Sequence, residues 1–231
     1  MRRMSQDDFD AALSRLAALG EPVRRTLYRY VVAQPEPVSR ERAAAGVGVA
    51  HHLAKFHLDK LVEDGLLEAE YRRPPGRGGP GAGRPAKLYR RAAGQLAVSL
   101  PERRYDLAGH IMAEAITTAG RTGTSVDGAL TSAARAAGRE LAHPPRDGDG
   151  LTAVAEALSG AGFEPRVTDD GVELSNCPFH QLAERYTALV CGMNLDLVGG
   201  LLDALPAKDL RAHLAPAPGR CCVAITRARP R

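Results

Sequence analysis

Tryptophan is absent from this 231-residue sequence and aromatic residues of all kinds reach only 4%, so any core must be packed from aliphatic side chains. Also missing are the short signatures of common enzyme chemistry: there is no P-loop, no GxGxxG behind a strand, no GxSxG and no HExxH. Cys177 and His180 are spaced like a nucleophile and its base, but no third group or oxyanion donor accompanies them. An enzyme is therefore not expected. No run approaches the roughly 18 apolar residues of a membrane span, and MRRMSQDD is too short and polar for a secretion signal. The expected location is the cytoplasm, with no membrane partner. Cysteine does not occur before residue 177, and in a reducing compartment the four cysteines are expected as thiols or ligands, not structural disulfides.

Charge is unevenly spread. Up to Arg91 there are 17 basic and 11 acidic residues, a balance of +6, whereas the rest of the chain has 14 against 16, a balance of −2. A basic head that meets a polyanion, joined to a mildly acidic sensor or assembly domain, accounts for the asymmetry. The expected fold class is α+β: a winged helix-turn-helix domain over residues 1–93, then a helical dimerisation segment and an α+β sensor domain over residues 94–231.

The stretch from Ser39 to Arg91 carries the first of these. Ser39 is a helix N-cap for SRERAAA, Gly46-Val47-Gly48 is the turn, and a second helix runs from about Val49 to Asp64 with Ala54, Leu58, Leu61 and Val62 on its buried face. Gly65 stops it. The opposite face carries His51, His52 and Lys55, placed where the second helix of a helix-turn-helix meets base edges and phosphates. Leu66 to Arg73 alternates like a strand, Pro74 to Pro85 breaks regular structure, and AKLYRR (Ala86 to Arg91) returns as a second strand. From Tyr71 to Arg91 the charged residues are all basic, Arg72, Arg73, Arg77, Arg84, Lys87, Arg90 and Arg91. With glycines at 76, 78, 79, 81 and 83, this hairpin suits a wing lying along a duplex. The expected DNA contacts are His51, His52, Lys55, Arg72, Arg73, Arg77, Arg84 and Lys87. His57 belongs to the same helix, but its spacing from His51 does not make a metal site.

FHLDKLVEDGLL (Phe56 to Leu67) followed by GPGAGRPAKLYRR (Gly79 to Arg91) resembles a branch of the ArsR-like winged-helix transcription regulators of bacteria. That branch includes repressors of the iron-sulphur cluster assembly (suf) operon, and its C-terminal domain often carries clustered cysteines. The resemblance implies a homodimeric repressor of double-stranded DNA with a [4Fe-4S] iron-sulphur cluster as its redox or iron signal. Such proteins commonly have Ser and Arg where this chain has Ala50 and His51, so no operator sequence carries over.

The remaining elements follow from periodicity. Asp7–Leu19, with Phe9, Leu13, Leu16 and Ala17 on one face, and Glu21–Val32 read as supporting helices. Arg24 and Arg25 fit either the DNA backbone or a solvated face. Pro101–Ala119 reads as a helix whose stripe of Leu107, Ile111, Met112, Ala115 and Ile116 suits dimerisation or packing within its own domain. Further helices are expected at Gly123–Ala142, Leu151–Ala161 and Gln181–Leu205, a hairpin at Phe163–Ser175 turning at Asp170-Gly171 with Val167, Val172 and Leu174 inward, and a strand at Cys221–Thr226.

Cys177, Cys191 and the Cys221-Cys222 pair are too far apart for a local ligand motif, so any convergence must come from the fold. The resemblance implies Cys177, Cys191 and Cys222 as cluster ligands, with Cys221 or His180 as the fourth. Zinc on Cys177, His180, Cys191 and one of the pair is an alternative, as is a thiol switch. A third reading has no metal at all, with Cys191 a small buried hydrophobe and the C-terminal domain binding a small molecule or a protein.

Overall fold

The structure is a computed structural model that describes residues 6–72, 85–142 and 150–228. The expected contacts Arg73, Arg77 and Arg84, the wing glycines and the 143–149 loop lie outside these residues. Two compact units divide between Val98 and Ser99, rather than after residue 93, because Leu96 still packs on the N-terminal core.

The first unit runs α1 (Gln6–Ala18), α2 (Pro22–Val32), β1 (Val38–Ser39), α3 (Arg40–Val47), α4 (His51–Glu63), β2 (Leu67–Arg72) and β3 (Ala86–Arg91). Local signals decide most of these boundaries. Glu21 caps α2 by accepting from Val23 N at 3.1 Å and Arg24 N at 2.5 Å, and Ser39 caps α3 by accepting from Arg42 N at 3.2 Å. Gly48, at φ 74°, ends α3 in the left-handed region, so the turn starts two residues later than expected. The sheet order is β1-β3-β2, antiparallel, with Leu67 opposite Arg91 and Val38 opposite Tyr89. The two-residue strand β1 has no sequence pattern of its own. Leu27, Leu58, Leu61, Leu67 and Tyr89 are at most 1% exposed and form the centre of this core.

On α1 the expected face is displaced. Ala12 and Ala18 are buried, while Leu13 and Leu16 are 40% and 44% exposed. The apolar stripe that periodicity picks out therefore lies largely on the outside of this unit.

The second unit contains α5 (Tyr105–Thr122), α6 (Val126–Leu141), α7 (Gly150–Gly160), β4 (Pro165–Thr168), β5 (Gly171–Leu174), α8 (His180–Arg185), α9 (Thr187–Ala204), β6 (Leu210–Leu214) and β7 (Val223–Arg227). Its antiparallel sheet has the order β4-β5-β7-β6, and α9 is the central helix. A Cβ on Gly138 of α6 would fall 2.0 Å from Leu197 O, and one on Gly200 of α9 would fall 2.1 Å from Arg135 O. These glycines set the close approach of the two helices.

Several expectations change here. The helix predicted from Pro101 starts at Tyr105, because the preceding residues are bonded elsewhere: Arg104 N donates to Pro178 O at 3.0 Å. Leu107, Ile111 and Ala115 of its stripe are buried in this unit's own core, leaving Ile116 64% exposed. The single helix predicted over 181–205 is broken at Tyr186, whose φ of −129° and ψ of 51° are not helical. Thr168 pairs with Gly171, so the hairpin turns at Asp169-Asp170, and Val167 on the edge strand is exposed while Val172 and Leu174 are buried. One helix, Thr187–Ala204, is long and apolar enough to cross a membrane by length and composition, against the expectation that no run would be. Half of it is buried, and its Val190, Met193, Leu197 and Leu201 lie in the core.

Candidate nucleic-acid interface and cysteine cluster

α4 divides sharply. Ala54, His57, Leu58 and Leu61 are buried, and His51, His52, Lys55 and Phe56 are exposed. His57 thus faces away from the other two histidines, with its Nδ1 3.6 Å from Glu21 Oε2 and 3.5 Å from Arg24 Nε. Arg24 and Arg25, expected either on the DNA backbone or on a solvated face, are half-buried and engaged within their own unit. Their guanidinium groups donate to Ala18 O and Leu19 O, which ties the turn between α1 and α2.

The first turn of α4 contains no acidic residue, and its helix dipole adds positive potential there. His51 Nε2 lies 3.0 Å from Glu41 Oε1, and this hydrogen bond pulls the Glu41 carboxyl down to about 2. Ala50 stands at the N-cap and supplies no side-chain hydrogen bond.

The ribbon is bolted to this helix by Asp59. It accepts from Lys87 Nζ at 2.6 Å and from Tyr89 Oη at 2.8 Å. Burial raises the Asp59 carboxyl, but these two bonds outweigh it and leave it below its ordinary value. Burial and the bond to Asp59 push the Tyr89 hydroxyl up. Lys87 is therefore engaged with Asp59 as well as placed on the ribbon. Arg72 pairs with Glu70 at 2.5 Å and Arg90 with Glu68 at 2.9 Å, so acids on β2 partly neutralise a surface whose β3 segment reads as purely basic in sequence. His52, Lys55 and Arg91 have no ion pair among the described residues.

In the second unit the fold brings the four cysteines together. Cys177 follows β5, Cys191 is on α9, and Cys221-Cys222 immediately precedes β7, where Cys221 N donates to Leu174 O at 2.8 Å. The thiols neighbour one another closely enough to interact: Cys177 and Cys222 with Cys221, and Cys191 with Cys222. Because the pair lies before the strand, its side chains do not alternate to opposite faces as a strand would require, and both join the group. Cys221 accepts from Cys177 and Cys222, which holds its thiol well below the ordinary range against the opposing effect of burial. The same bonds, with burial, push Cys177 and Cys222 up. All four are free thiols.

Asn194, a neighbour of Cys191 already in the sequence, completes this group. It is 0% exposed and one helical turn from Cys191, and its Nδ2 donates to Cys221 Sγ at 3.3 Å. Its Oδ1 is buried without a hydrogen-bond partner among the described residues. A buried orphan acceptor beside four sulphurs is costly unless something meets it. His180 does not join them: it is exposed, with Nε2 3.2 Å from Glu184 Oε1. The donor chemistry fits an iron-sulphur cluster, since four thiols are present in a largely apolar setting with N–H donors toward sulphur. Among the described residues, however, no three His, Cys, Asp or Glu side chains are set to hold one metal ion.

The cysteine loop is also clamped from the start of its own unit. Arg103 Nη1 donates to Asn176 Oδ1 at 2.5 Å and Cys177 O at 2.9 Å, and Asn176 Nδ2 donates to Glu102 O at 3.2 Å and Gly162 O at 3.0 Å.

Comparison with known proteins bears on the first unit. Residues 19–70 match a family model described as a helix-turn-helix domain. No curated protein matches the chain. Among solved structures, human N-acetylserotonin methyltransferase in complex with SAM aligns with 86% of this chain at 16% identity and a TM-score of 0.23. The chain spans 47% of that protein's length, and a likeness this low carries no argument about fold or activity. The helix-turn-helix match supports a DNA-binding transcription regulator.

Proposed function

We propose that the chain is a homodimeric, sequence-specific repressor in the cytoplasm, binding an inverted-repeat operator with α4 in the major groove and the β2–β3 ribbon along the backbone. The observation that carries this reading is the exposed face of α4, with His51, His52 and Lys55 and no acid in its first turn, bolted to a basic ribbon through Asp59. The exposed Leu13 and Leu16 of α1 and Ile116 of α5 supply apolar surface for a second copy. Selection from a random duplex library tests the reading. Enriched sequences should share two half-sites related by a dyad, bound with strong salt dependence; a pool with no enrichment refutes it.

For regulation, the cysteine group supports a cluster held by Cys177, Cys191, Cys221 and Cys222, with Cys221 at the centre of the hydrogen bonding and His180 outside the set. Such a group would be sensitive to oxidant and iron supply. These residues would tie the end of β5, α9 and the start of β7 together, so its loss would free all three segments. Anaerobic purification should give brown protein with iron and acid-labile sulphide, and operator affinity should change on exposure to air. A thiol switch is the second reading, favoured by four free cysteines of which no three are set to hold a metal ion. It predicts colourless protein whose affinity responds to peroxide and is restored by a dithiol. Colourless protein with stoichiometric zinc would favour the zinc site.

A further inference from the structure

On the proposed reading surface one side chain is out of character. Phe56 is 61% exposed on α4, and every other exposed large hydrophobic among the described residues lies on a different element. Helical spacing puts it one turn beyond His52 and beside Lys55, at the edge of the exposed face opposite Ala54 and Leu58. Its ring is held edge-on against buried His57, with centroids 5.2 Å apart and planes at 68°, so it is braced where it stands. An exposed aromatic ring flanked by a lysine and a histidine is poorly placed for an apolar protein core and well placed against a polyanion with apolar points on it. In duplex DNA those points are the 5-methyl groups of thymine, which line the major groove and are read by apolar side chains.

We infer that Phe56 is a specificity-determining residue that packs on the 5-methyl group of a thymine in each operator half-site. The inference rests on the DNA-binding reading and deepens it. His52 and Lys55 would supply hydrogen bonds and charge, while Phe56 separates thymine from cytosine and from uracil by one apolar contact. The expected discrimination is about fourfold per half-site, which is the ~0.8 kcal/mol of one buried carbon group at 1.4 kcal/mol per factor of ten.

The probe is the duplex enriched by library selection, with each thymine replaced in turn by deoxyuridine, which removes only the methyl group. Wild-type protein should lose about fourfold in affinity at one thymine position per half-site and be indifferent elsewhere. Phe56→Ala, which removes the contact from both half-sites at once, should bind the thymine duplex about as weakly as wild type binds a duplex with the replacement in both half-sites, about sixteenfold down, and should no longer distinguish thymine from deoxyuridine. Indifference of wild type to every deoxyuridine replacement overturns the inference while leaving DNA binding intact, and because that series uses unaltered protein it does not depend on how the variant folds. Equal deoxyuridine penalties in wild type and Phe56→Ala also overturn it. So does a variant whose only change is in its monomer–dimer balance, which would assign the ring to a second copy. Failure to enrich any duplex removes the DNA-binding reading itself.

Discussion

The two units handle polar groups in opposite ways. In the first, charged side chains sit near the surface and find one another: Asp59 with Lys87, Lys60 with Asp64, Arg90 with Glu68. Asp64 Oδ2 lacks a partner there, but it is the second oxygen of a carboxylate already paired through Oδ1. Glu70 Oε1, the other such atom in the first unit, faces the guanidinium of Arg72, so both are oxygens of carboxylates already engaged in ion pairs. In the second unit Asn194 lies at 0% exposure with Oδ1 unpaired, and Arg104 at 5% exposure leaves Nη2 unpaired. The second unit thus keeps polar atoms without a partner among the described residues in its interior, and one of them, Asn194 Oδ1, belongs to the side chain that bonds Cys221.

That contrast can be broken by substitution. The largest effect is expected at Gly138→Ala, where the new carbon must push α9 away from α6. We expect a loss of about 2–3 kcal/mol in denaturant titration, with no comparable loss for alanine at exposed Gly120, which meets nothing within 4 Å. Next is Asn194→Leu in metal-free protein. If the orphan acceptor is a real cost, replacing it by an apolar side chain of similar size should stabilise the fold by about 1 kcal/mol, and at the same time abolish cluster incorporation or alter its absorption. Destabilisation of the metal-free form would show that the bond to Cys221 outweighs the orphan.

In the first unit, Asp59→Asn should cost about 1 kcal/mol at neutral pH by weakening the bolt between α4 and β3. The Asp59 carboxyl lies below its ordinary value, so its ionised bonds contribute fully above about pH 4 and are lost as pH falls through the folded-state value beneath that. The stability gap between wild type and Asp59→Asn should close over that acidic window; a gap constant with pH would assign the cost to packing. The smallest effect is Ala50→Ser, which gives α4 the missing cap and should add about 0.5–1 kcal/mol.

The same contrast explains what could be read from the residues in advance. Ala86–Arg91 is predicted to the residue because Pro85 sets the point at which the chain can return beside the preceding strand, and the start of α3 and the end of α4 follow from Ser39 and Gly65. β1 and β6 depend on partners distant in sequence, and neither they nor the break at Tyr186 leave a periodic trace. The stripe on α1 misleads because periodicity finds an apolar face without saying what it meets. For the cysteines, the sequence supplied the donors and Asn194 as a neighbour of Cys191, but not the hydrogen bond from Asn194 to Cys221, whose two ends are 27 residues apart. Phe56 was passed over for a similar reason, since an aromatic residue next to a core position is ordinarily counted with the core.

Between Leu96, anchored on the first core, and Arg103, hydrogen-bonded to the Cys177 loop, only residues 97–102 lie in the chain. The strap that joins the units is therefore fastened at one end to the sulphur site. Unfastening Arg103 and Arg104 would pay out two further residues before α5 begins, up to about 7 Å of extra reach at 3.3–3.6 Å per residue. In a dimer gripping two half-sites, that slack on each side lowers the local concentration of the second head once the first has landed. The thiols could then govern residence on the operator through the length of a leash, with every contact to the bases left as it was.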